Sequence, residues 1–191
     1  MPKKELRQYI RNEKRQHSQE TLEALSLSVC QKVLSHPRVL AADTILLYYP
    51  LHDEVDVRPV IDALAAQGKN ILLPKVISDT ELTLHPYHSA ADLSPGAFGI
   101  MEPVTAEIIV NEESCETTKR LNDQTTKRLV SIIPGMAFDR QGHRLGRGKG
   151  YYDRLLSRFP YIYKIGICFP FQLLEEIPAD AHDVVMDEVI V

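Results

Sequence analysis

The sequence predicts an α/β fold, a three-layer sandwich built around a mostly parallel, Rossmann-like sheet. Over the first half of the chain, short apolar runs bounded by proline alternate with segments of helical periodicity. Two of these runs, at residues 44–49 and 70–73, flank one helical segment, and this strand–helix–strand spacing implies a parallel pair. A chain of 191 residues has the length of one domain, so we predict a single domain over residues 1–191.

Two helices are predicted at the amino-terminal end. Residues 3–15 are rich in Lys, Arg, Glu and Gln, which favour helix, and contain few apolar positions. This segment is either a solvated helix or an arm that orders on a ligand. Ser18 is a good N-cap for a second helix, with Glu20 in its first turn. The apolar positions of that helix recur every three or four residues and mark one buried face: Leu22, Leu25, Val29 and Val33.

Three strands and a helix are predicted between residues 44 and 87, and prolines and glycines bound most of them. In chain order they are a strand at 44–49 ended by Pro50, a helix opened by Arg58 and Pro59 and closed at Gly68, a strand at 70–73 stopped by Pro74, and a strand at 82–87. Residues 92–103 hold two prolines and two glycines, which indicates a structured loop.

The second half of the chain begins with a polar partial repeat, TTKRL, at 117–121 and again at 125–129. We interpret residues of about 111–128 as an exposed surface insertion without a catalytic role. The remaining predicted elements are a strand at 130–133, a glycine-rich segment at 142–150, a helix from 151 to about 158, and strands at 164–168 and 184–191.

Bulk composition excludes several classes of partner. The chain is 44% hydrophobic and 25% charged, as soluble globular proteins are, and its net charge of −4 gives no overall positive field for nucleic acid or anionic lipid. No apolar run approaches the roughly 18 residues that span a bilayer. Three cysteines without a CxxC pair are expected to be reduced thiols. We therefore expect a soluble, cytoplasmic protein without a nucleic-acid or membrane partner. Separately, our expectation is a monomer that acts on a small molecule.

The glycine-rich segment carries the clearest chemistry. In GHRLGRGKG, at 142–150, glycines alternate with cations directly before a predicted helix: Gly146, Arg147, Gly148, Lys149 and Gly150, with Arg144 just upstream. Glycine lets the backbone approach a ligand, and guanidinium groups grip phosphate through paired hydrogen bonds. The segment matches neither GxxxxGK[ST] nor GxGxxG. A phosphate cradle and a generic charged turn both remain open.

Asp153 lies in the first turn of the helix that follows this segment. A carboxylate beside a bound phosphate repels it unless a cation lies between them, and Mg²⁺ prefers carboxylate and phosphate oxygens. The alternative is an acid that only complements the dipole at the helix start. The residues alone leave both interpretations open.

The run FDRQGHRLGRGKGYYDR, from Phe138 to Arg154, resembles the signature of the 5-formyltetrahydrofolate cyclo-ligases, also called 5,10-methenyltetrahydrofolate synthetases. Further matches fall in the family's order along nearly the whole chain: Lys3 and Arg7, the YYPLHDE stretch at 48–54, Leu73–Pro74, Phe98–Gly99–Ile100 and Asp187–Glu188. The resemblance implies an α/β sandwich that uses ATP and Mg²⁺ to convert 5-formyltetrahydrofolate into 5,10-methenyltetrahydrofolate, releasing ADP and phosphate through a phosphorylated formyl group.

The resemblance also implies roles for individual residues. Arg147 and Lys149 are the implied catalytic groups, and Asp153 and Asp187 are the implied magnesium ligands. The implied ATP-binding residues are Lys3, Arg7, Arg144, Leu145, Gly146, Arg147, Gly148, Lys149, Gly150, Tyr151 and Tyr152. Lys3 and Arg7 share a helix face because they are four residues apart, although Lys4 could take the place of Lys3.

On the folate side, the resemblance implies contacts from Tyr49, Glu54, Phe98, Arg147, Gly148, Lys149, Gly150 and Tyr151. Glu54 follows a strand's carboxyl end, where open α/β sheets bind ligands, and its carboxylate can accept hydrogen bonds from pterin N–H groups. Tyr49 departs from the aliphatic residue expected at its position, so it either stacks on the pterin or fills the core. The substrate is a reduced formylfolate, with or without a polyglutamate tail.

Two other classes of function fit parts of the same pattern. A sugar-phosphate isomerase or acyl-CoA transferase of similar fold needs a carboxylate at a strand end, a role open to Glu54, but neither ATP nor Mg²⁺. A non-catalytic nucleotide-binding protein keeps the glycine-rich cradle without turnover. Dependence of ATP hydrolysis on a reduced formylfolate separates all three.

Overall fold

The computed structural model describes residues 1–96, 101–107 and 129–191. The predicted insertion at 111–128 and the predicted folate contact Phe98 lie outside the described residues. The helices are α1 Lys3–Arg15, α2 Gln19–Ser35, α3 Pro37–Ala41, α4 Arg58–Ala66 and α5 Tyr151–Ser157. The strands are β1 Thr44–Leu46, β2 Asn70–Val76, β3 Leu82–Tyr87, β4 Leu93–Pro95, β5 Met101–Pro103, β6 Leu129–Pro134, β7 Ala137–Asp139, β8 Arg144–Leu145, β9 Tyr163–Ile167, β10 Leu173–Leu174 and β11 Glu188–Ile190.

A six-stranded sheet in the order β11-β9-β6-β1-β2-β3 forms the centre of the fold. Each neighbouring pair from β11 to β2 is parallel, and only the edge strand β3 runs antiparallel, to β2. The strand–helix–strand unit predicted at 44–73 is present as β1, α4 and β2. The predicted mostly parallel α/β architecture is therefore confirmed.

Helices cover both faces of this sheet. Side chains alternate along a strand, so neighbouring residues of β1 and β2 point to opposite faces. Ile45 and Ile71 are buried in one cluster with apolar residues of α2 and α4, whereas Leu46 and Leu72 are buried in another with Leu155 of α5. Ser18 accepts a hydrogen bond from the Thr21 N–H and is the N-cap of α2, as predicted. The layers are thus helix, sheet and helix.

Three strands have bounds that differ clearly from the prediction: the strand predicted at 44–49 ends at Leu46, the strand predicted at 184–191 is Glu188–Ile190, and β2 is longer than predicted. β2 does not stop at Pro74 but continues to Val76, paired throughout with β3. Leu72 accepts a hydrogen bond from the Leu47 N–H, so its polar groups face β1. Pro74, two residues on, faces the same side, where the ladder with β1 has already ended at Leu72. Because no donor is needed there, proline does not interrupt the strand.

Short strands outside the central sheet were also missed. The segment predicted as a structured loop at 92–103 contains the antiparallel pair β4 and β5, and a second small sheet has the order β10-β7-β8. Helix α1 packs on this second sheet: Leu6 and Ile10 are buried against Met136, Ala137 and Leu145. Residues 3–15 are thus a packed helix in this structure. No helix within the described ranges is long and apolar enough to span a bilayer.

Candidate active site

The glycine-rich segment and the loop at 50–54 meet beyond the carboxyl ends of the neighbouring parallel strands β6 and β1. Arg147 Nε and Nη2 each donate to Glu54 Oε1 at 3.1 Å, and Nη2 also donates to Asp53 Oδ1 at 2.5 Å. This is the edge at which open α/β sheets bind ligands. A cation predicted for phosphate and a carboxylate predicted for folate are therefore in direct contact.

Three glycines of the segment, Gly142, Gly148 and Gly150, adopt positive φ angles that other residues rarely take. Gly148 has φ 111° and Gly150, the N-cap of α5, has φ 66°. A Cβ at Gly150 would also lie 2.9 Å from Arg154 Nη1. Side chains at these positions would strain the turn, so glycine is required for its shape. The sequence-based interpretation of a backbone built for close approach is consistent with this geometry.

Helix α1 contacts the segment through one face. Arg7 Nε donates to the Gly146 carbonyl at 2.8 Å. Lys3, one turn earlier, donates to Asp180 Oδ2 at 2.6 Å and to Asp183 Oδ2 at 2.5 Å. Burial alone lowers the pKa of Lys3, but these two carboxylates outweigh it and raise the pKa above the ordinary lysine value. Lys4 is exposed by comparison, so Lys3 is the lysine that packs into this side of the molecule.

Lys149 points away from Arg147, toward the turn between β2 and β3. Its ammonium donates to Asp79 Oδ1 at 2.9 Å, and this hydrogen bond raises the pKa of Lys149. Tyr151 Oη donates to the Ser78 carbonyl at 2.9 Å, and Arg154 Nε donates to the Thr80 carbonyl at 2.6 Å. Three side chains within and just after the glycine-rich segment thus hold the 78–80 turn against it.

Arg144 and Leu145 occupy the inner side of the segment. Arg144 is buried, its Nη2 donates to Asp153 Oδ2 at 2.9 Å, and its guanidinium carbon lies 5.5 Å from the centre of the Tyr152 ring. Its Nε has no hydrogen-bond partner in the described part of the chain. Leu145 is fully buried and its carbonyl accepts from the Met136 N–H. Arg144 and Leu145 are thus the buried part of the segment, whereas Arg147 and Lys149 are exposed.

The two predicted magnesium ligands are each paired with a cation in this structure. Asp153 is bonded to Arg144, and its Oδ1 also accepts from the Val184 N–H at 3.3 Å. Asp187 Oδ2 accepts from the Lys164 N–H and ammonium, at 2.7 and 2.9 Å. Asp187 follows Val184 by three residues, so about 10 Å of extended chain at most joins it to the neighbourhood of Asp153. No group of three or more His, Cys, Asp or Glu side chains that could hold a metal ion occurs among the described residues.

On the predicted folate side, Glu54 is held from two directions. Its Oε1 accepts from Arg147, and its Oε2 accepts from the Leu51 N–H at 3.1 Å. The side chain borders a cleft of about 470 Å³ between the 50–58 segment and the start of α2. Tyr49 is half-buried and packs against the main core, which favours the core-filling interpretation of this residue.

Sequence reasoning missed four residues that organise this region: Lys14, Asp53, Asp79 and Asp139. Asp139 is fully buried and accepts from the His143 ring at 2.9 Å and from the N–H groups of Gln141, His143 and Ile177 at 2.9 to 3.0 Å. It fixes the turn that leads into the glycine-rich segment. Asp139 lies within the Phe138–Arg154 run, directly after buried apolar residues, and this position was the signal that could have marked it.

Asp139→Asn is expected to lower the free energy of unfolding at neutral pH by about 1–3 kcal/mol, because buried N–H groups lose a charged acceptor. Burial raises the pKa of Asp139, but the hydrogen bonds from His143 and Ile177 outweigh it and hold the pKa below its usual range. A depressed folded-state pKa stabilises the fold above the unfolded value of about 3.9, and this stability is lost as pH falls through the folded-state pKa.

Urea unfolding from pH 7 down to about 3 measures this effect. The difference between wild type and Asp139→Asn should begin to shrink at the acid end, where the Asp139 carboxyl of the unfolded chain becomes protonated while that of the folded chain is still ionised. The exposed Glu175→Gln is the control and should track wild type throughout. A difference that stays constant across the whole range would contradict the assigned role of the Asp139 charge.

Comparison with known proteins gives one consistent result. The model of the 5-formyltetrahydrofolate cyclo-ligase family matches residues 1–191. The probable 5-formyltetrahydrofolate cyclo-ligase of Schizosaccharomyces pombe is 29% identical, with 100% of this chain and 95% of that protein covered.

Two solved structures have the same fold. The NMR structure of Aquifex aeolicus 5,10-methenyltetrahydrofolate synthetase is similar with a TM-score of 0.80 and 37% identity, covering 100% of this chain and 89% of that one. The 5,10-methenyltetrahydrofolate synthetase of Mycoplasma pneumoniae has a TM-score of 0.73 and 28% identity, covering 100% and 98%. The resemblance inferred from the Phe138–Arg154 run is confirmed. Because the family model spans the whole chain, this protein belongs to the 5-formyltetrahydrofolate cyclo-ligase family.

Proposed function

We propose that this chain converts 5-formyltetrahydrofolate into 5,10-methenyltetrahydrofolate, using ATP with Mg²⁺ and releasing ADP and phosphate. The observation that carries the proposal is the contact of Arg147 with Glu54, at 3.1 Å. Phosphoryl transfer from ATP to a formyl oxygen requires a phosphate site and a folate site side by side. Arg147 belongs to the glycine-rich segment and Glu54 to the loop after β1, so the contact joins two candidate sites that are distant in sequence.

The chemistry explains why cations are needed on the glycine-rich segment. The formyl oxygen attacks the γ-phosphorus of ATP, the bond to the β-phosphate oxygen breaks, and ADP leaves. N10 of the folate then attacks the activated formyl carbon, loses its proton, and the C–O bond breaks to release phosphate as the ring closes. Charge accumulates on the transferred phosphoryl oxygens, and positioned cations and N–H groups lower the barrier.

Each residue takes a role that its position permits. Arg147 and Lys149 are exposed on the segment and supply the cations at the phosphoryl group. Arg7 holds the segment by its Gly146 carbonyl, and Lys3, one turn earlier on the same face of α1, would contact the nucleotide phosphates by exchanging its present partners, Asp180 and Asp183. Glu54 accepts hydrogen bonds from the pterin N–H groups.

The residues present are compatible with Mg²⁺ next to a nucleotide. Mg²⁺ is commonly held by one or two carboxylates together with phosphate oxygens and waters, so a three-residue protein cluster is not required. Asp153 and Asp187 would supply hard oxygen ligands; Asp153 accepts from the N–H of Val184, which precedes Asp187 by three residues. Bound there, the ion would neutralise charge on the phosphate oxygens. Both carboxylates would have to share or exchange their present partners, Arg144 and Lys164.

We also propose that the protein works as a monomer in a reducing, cytoplasmic setting, on reduced formylfolates with or without a polyglutamate tail. The two cysteines in the described residues, Cys30 and Cys168, are free and buried. Burial, with a contribution from Asp56, raises the pKa of Cys30 to about 11, and burial raises that of Cys168 to about 12. Such thiols are unreactive near neutral pH, which supports a structural role.

The deciding experiment is an absorbance assay of the purified protein with 5-formyltetrahydrofolate, ATP and Mg²⁺, following the methenyl product in the near ultraviolet. The expected result is product formation that requires all three components, with one ADP and one phosphate per product. Turnover without ATP and Mg²⁺ would favour isomerase- or transferase-like chemistry at Glu54. Nucleotide binding without turnover would favour a regulatory protein.

A further inference from the structure

We propose that Lys14 and Asp53 are positioning residues that orient Arg147 from helix α1. The inference rests on the proposed function, because it takes Arg147 as the cation that acts on the transferred phosphoryl group. Lys14 donates to the carbonyl oxygen and, at 3.1 Å, to Oδ2 of Asp53. Asp53 in turn accepts from Arg147 through its other carboxylate oxygen, Oδ1, at 2.5 Å.

Lys14 ends the buried face of α1. Leu6, Ile10 and Lys14 are spaced by four residues and are the three buried residues of the helix. The first two are packed on the small sheet, and the same face carries the Lys14 ammonium inward to the loop after β1. An apolar residue would continue this face at lower cost, since burial lowers the pKa of Lys14 and Asp53 only partly offsets the effect. A buried lysine here indicates a need for its charge.

Asp53 divides its carboxylate between two cations at different depths. The exposed fraction of the side chain rises from 6% at Lys14 through 22% at Asp53 to 42% at Arg147. Burial raises the pKa of Asp53, but Lys14 and Arg147 outweigh it and keep the pKa below its usual range, so the carboxylate is ionised near neutral pH. Lys14, Asp53 and Arg147 therefore form a chain of ion pairs of alternating charge that leads from the interior to the surface. We call these three residues the relay.

Arg147 needs such a restraint because of its neighbours. It lies between Gly146 and Gly148, and glycine restricts the backbone least of all residues. Its other carboxylate partner, Glu54, is proposed to accept hydrogen bonds from the substrate. When Glu54 binds the pterin, Asp53 remains to hold the guanidinium, and Lys14 holds Asp53. Loss of orientation at a reacting centre reduces turnover even where the ligand still binds.

A double-mutant cycle tests this relay. Lys14→Met removes the charge and keeps an unbranched apolar stem, and Asp53→Asn removes the acceptor charge. Each is expected to lower kcat by about tenfold or more, with a smaller change in KM for ATP. In the Arg147→Ala variant, the rate is measured by single turnover at high enzyme concentration. Adding Lys14→Met or Asp53→Asn to this variant should change that rate by less than about twofold. Full additivity, or higher activity for Asp53→Asn, would overturn the proposal.

Stability separates positioning from a general packing role. Removing one partner of a buried pair is destabilising, so the melting temperature of Lys14→Met should fall. The turnover number is therefore compared at a temperature where wild type and variant are both fully folded, and kcat of Lys14→Met should still be lower there. Arg15→Met is the matched control, because it removes an exposed cation from the same helical turn, and it should leave kcat unchanged. A loss of activity explained by a lower melting temperature would overturn the proposal.

A spectroscopic readout keeps this test independent of the reaction itself. The Nε–H resonance of Arg147, assigned by its loss in Arg147→Lys, is expected to shift or broaden in Lys14→Met and Asp53→Asn but not in Arg15→Met. If wild type fails to cyclise 5-formyltetrahydrofolate, the proposed function falls, and this resonance still reports on the relay. An unchanged resonance in both variants would show that Lys14 and Asp53 do not orient Arg147.

Discussion

Lys149→Ala is expected to lower kcat/KM for ATP by about 100-fold or more, the effect of losing one preorganised donor to a transition-state oxygen. Lys149 is exposed, and its ammonium bonds only Asp79 among the described residues. Its removal should therefore leave the fold intact. Steady-state kinetics with ATP varied at saturating 5-formyltetrahydrofolate measure the effect, and an unchanged melting temperature shows that the loss is not due to unfolding.

Two variants serve as controls for Lys149→Ala. Arg140→Ala removes an exposed cation from the turn before the glycine-rich segment and should retain wild-type constants. Asp79→Asn releases Lys149 from its ion pair. Because both side chains are largely exposed, that pair contributes little to stability, and KM for ATP should stay the same or fall. Wild-type ATP constants in Lys149→Ala would remove Lys149 from the phosphate site.

The central fold could be predicted because its signals are local. The apolar runs at 44–49 and 70–73, with a helix between them, are enough to specify a parallel pair. The strands missed, β4, β5, β7, β8 and β10, are two or three residues long, which is too short to show alternation. The end of β2 was predicted wrongly at Pro74 because a proline interrupts a strand only where a neighbouring strand needs its N–H. Where the neighbouring β1 ends is a tertiary property that the local sequence does not show.

The residues of the candidate site also divide into those that the local sequence marks and those whose role depends on tertiary contacts. The glycine-rich segment carries its chemistry in consecutive residues, so Arg147 and Lys149 could be proposed as site residues from the sequence alone. Asp53 pairs with Arg147 across 94 positions, and Asp79 pairs with Lys149 across 70. Neither carboxylate has a local pattern that marks its partner. Lys14 did carry a signal, a cation four residues after Ile10 on an apolar face, but its meaning depends on what the helix packs against.

Asp153 has the contacts of a structural residue and the chemistry of a metal ligand, and one substitution separates these roles. Asp153→Asn leaves the buried Arg144 guanidinium without its counter-charge, and removing one partner of a buried pair costs about 3 kcal/mol or more. We therefore expect a clear fall in the free energy of unfolding without Mg²⁺. If Asp153 also binds the ion, the Mg²⁺ concentration for half-maximal activity should rise at temperatures where the variant is folded.

Arg144→Met and Asp187→Asn complete the comparison. Arg144→Met breaks the same ion pair but keeps the Asp153 carboxylate and frees it for Mg²⁺, so the Mg²⁺ requirement should stay the same or fall even if the use of ATP weakens. Asp187→Asn should raise the Mg²⁺ requirement with a smaller loss of stability, because Asp187 is more exposed and its N–H donor Lys164 can bond an amide oxygen. If Asp153→Asn loses stability and its magnesium titration does not move, Asp153 is the counter-ion of Arg144 and Mg²⁺ has other ligands.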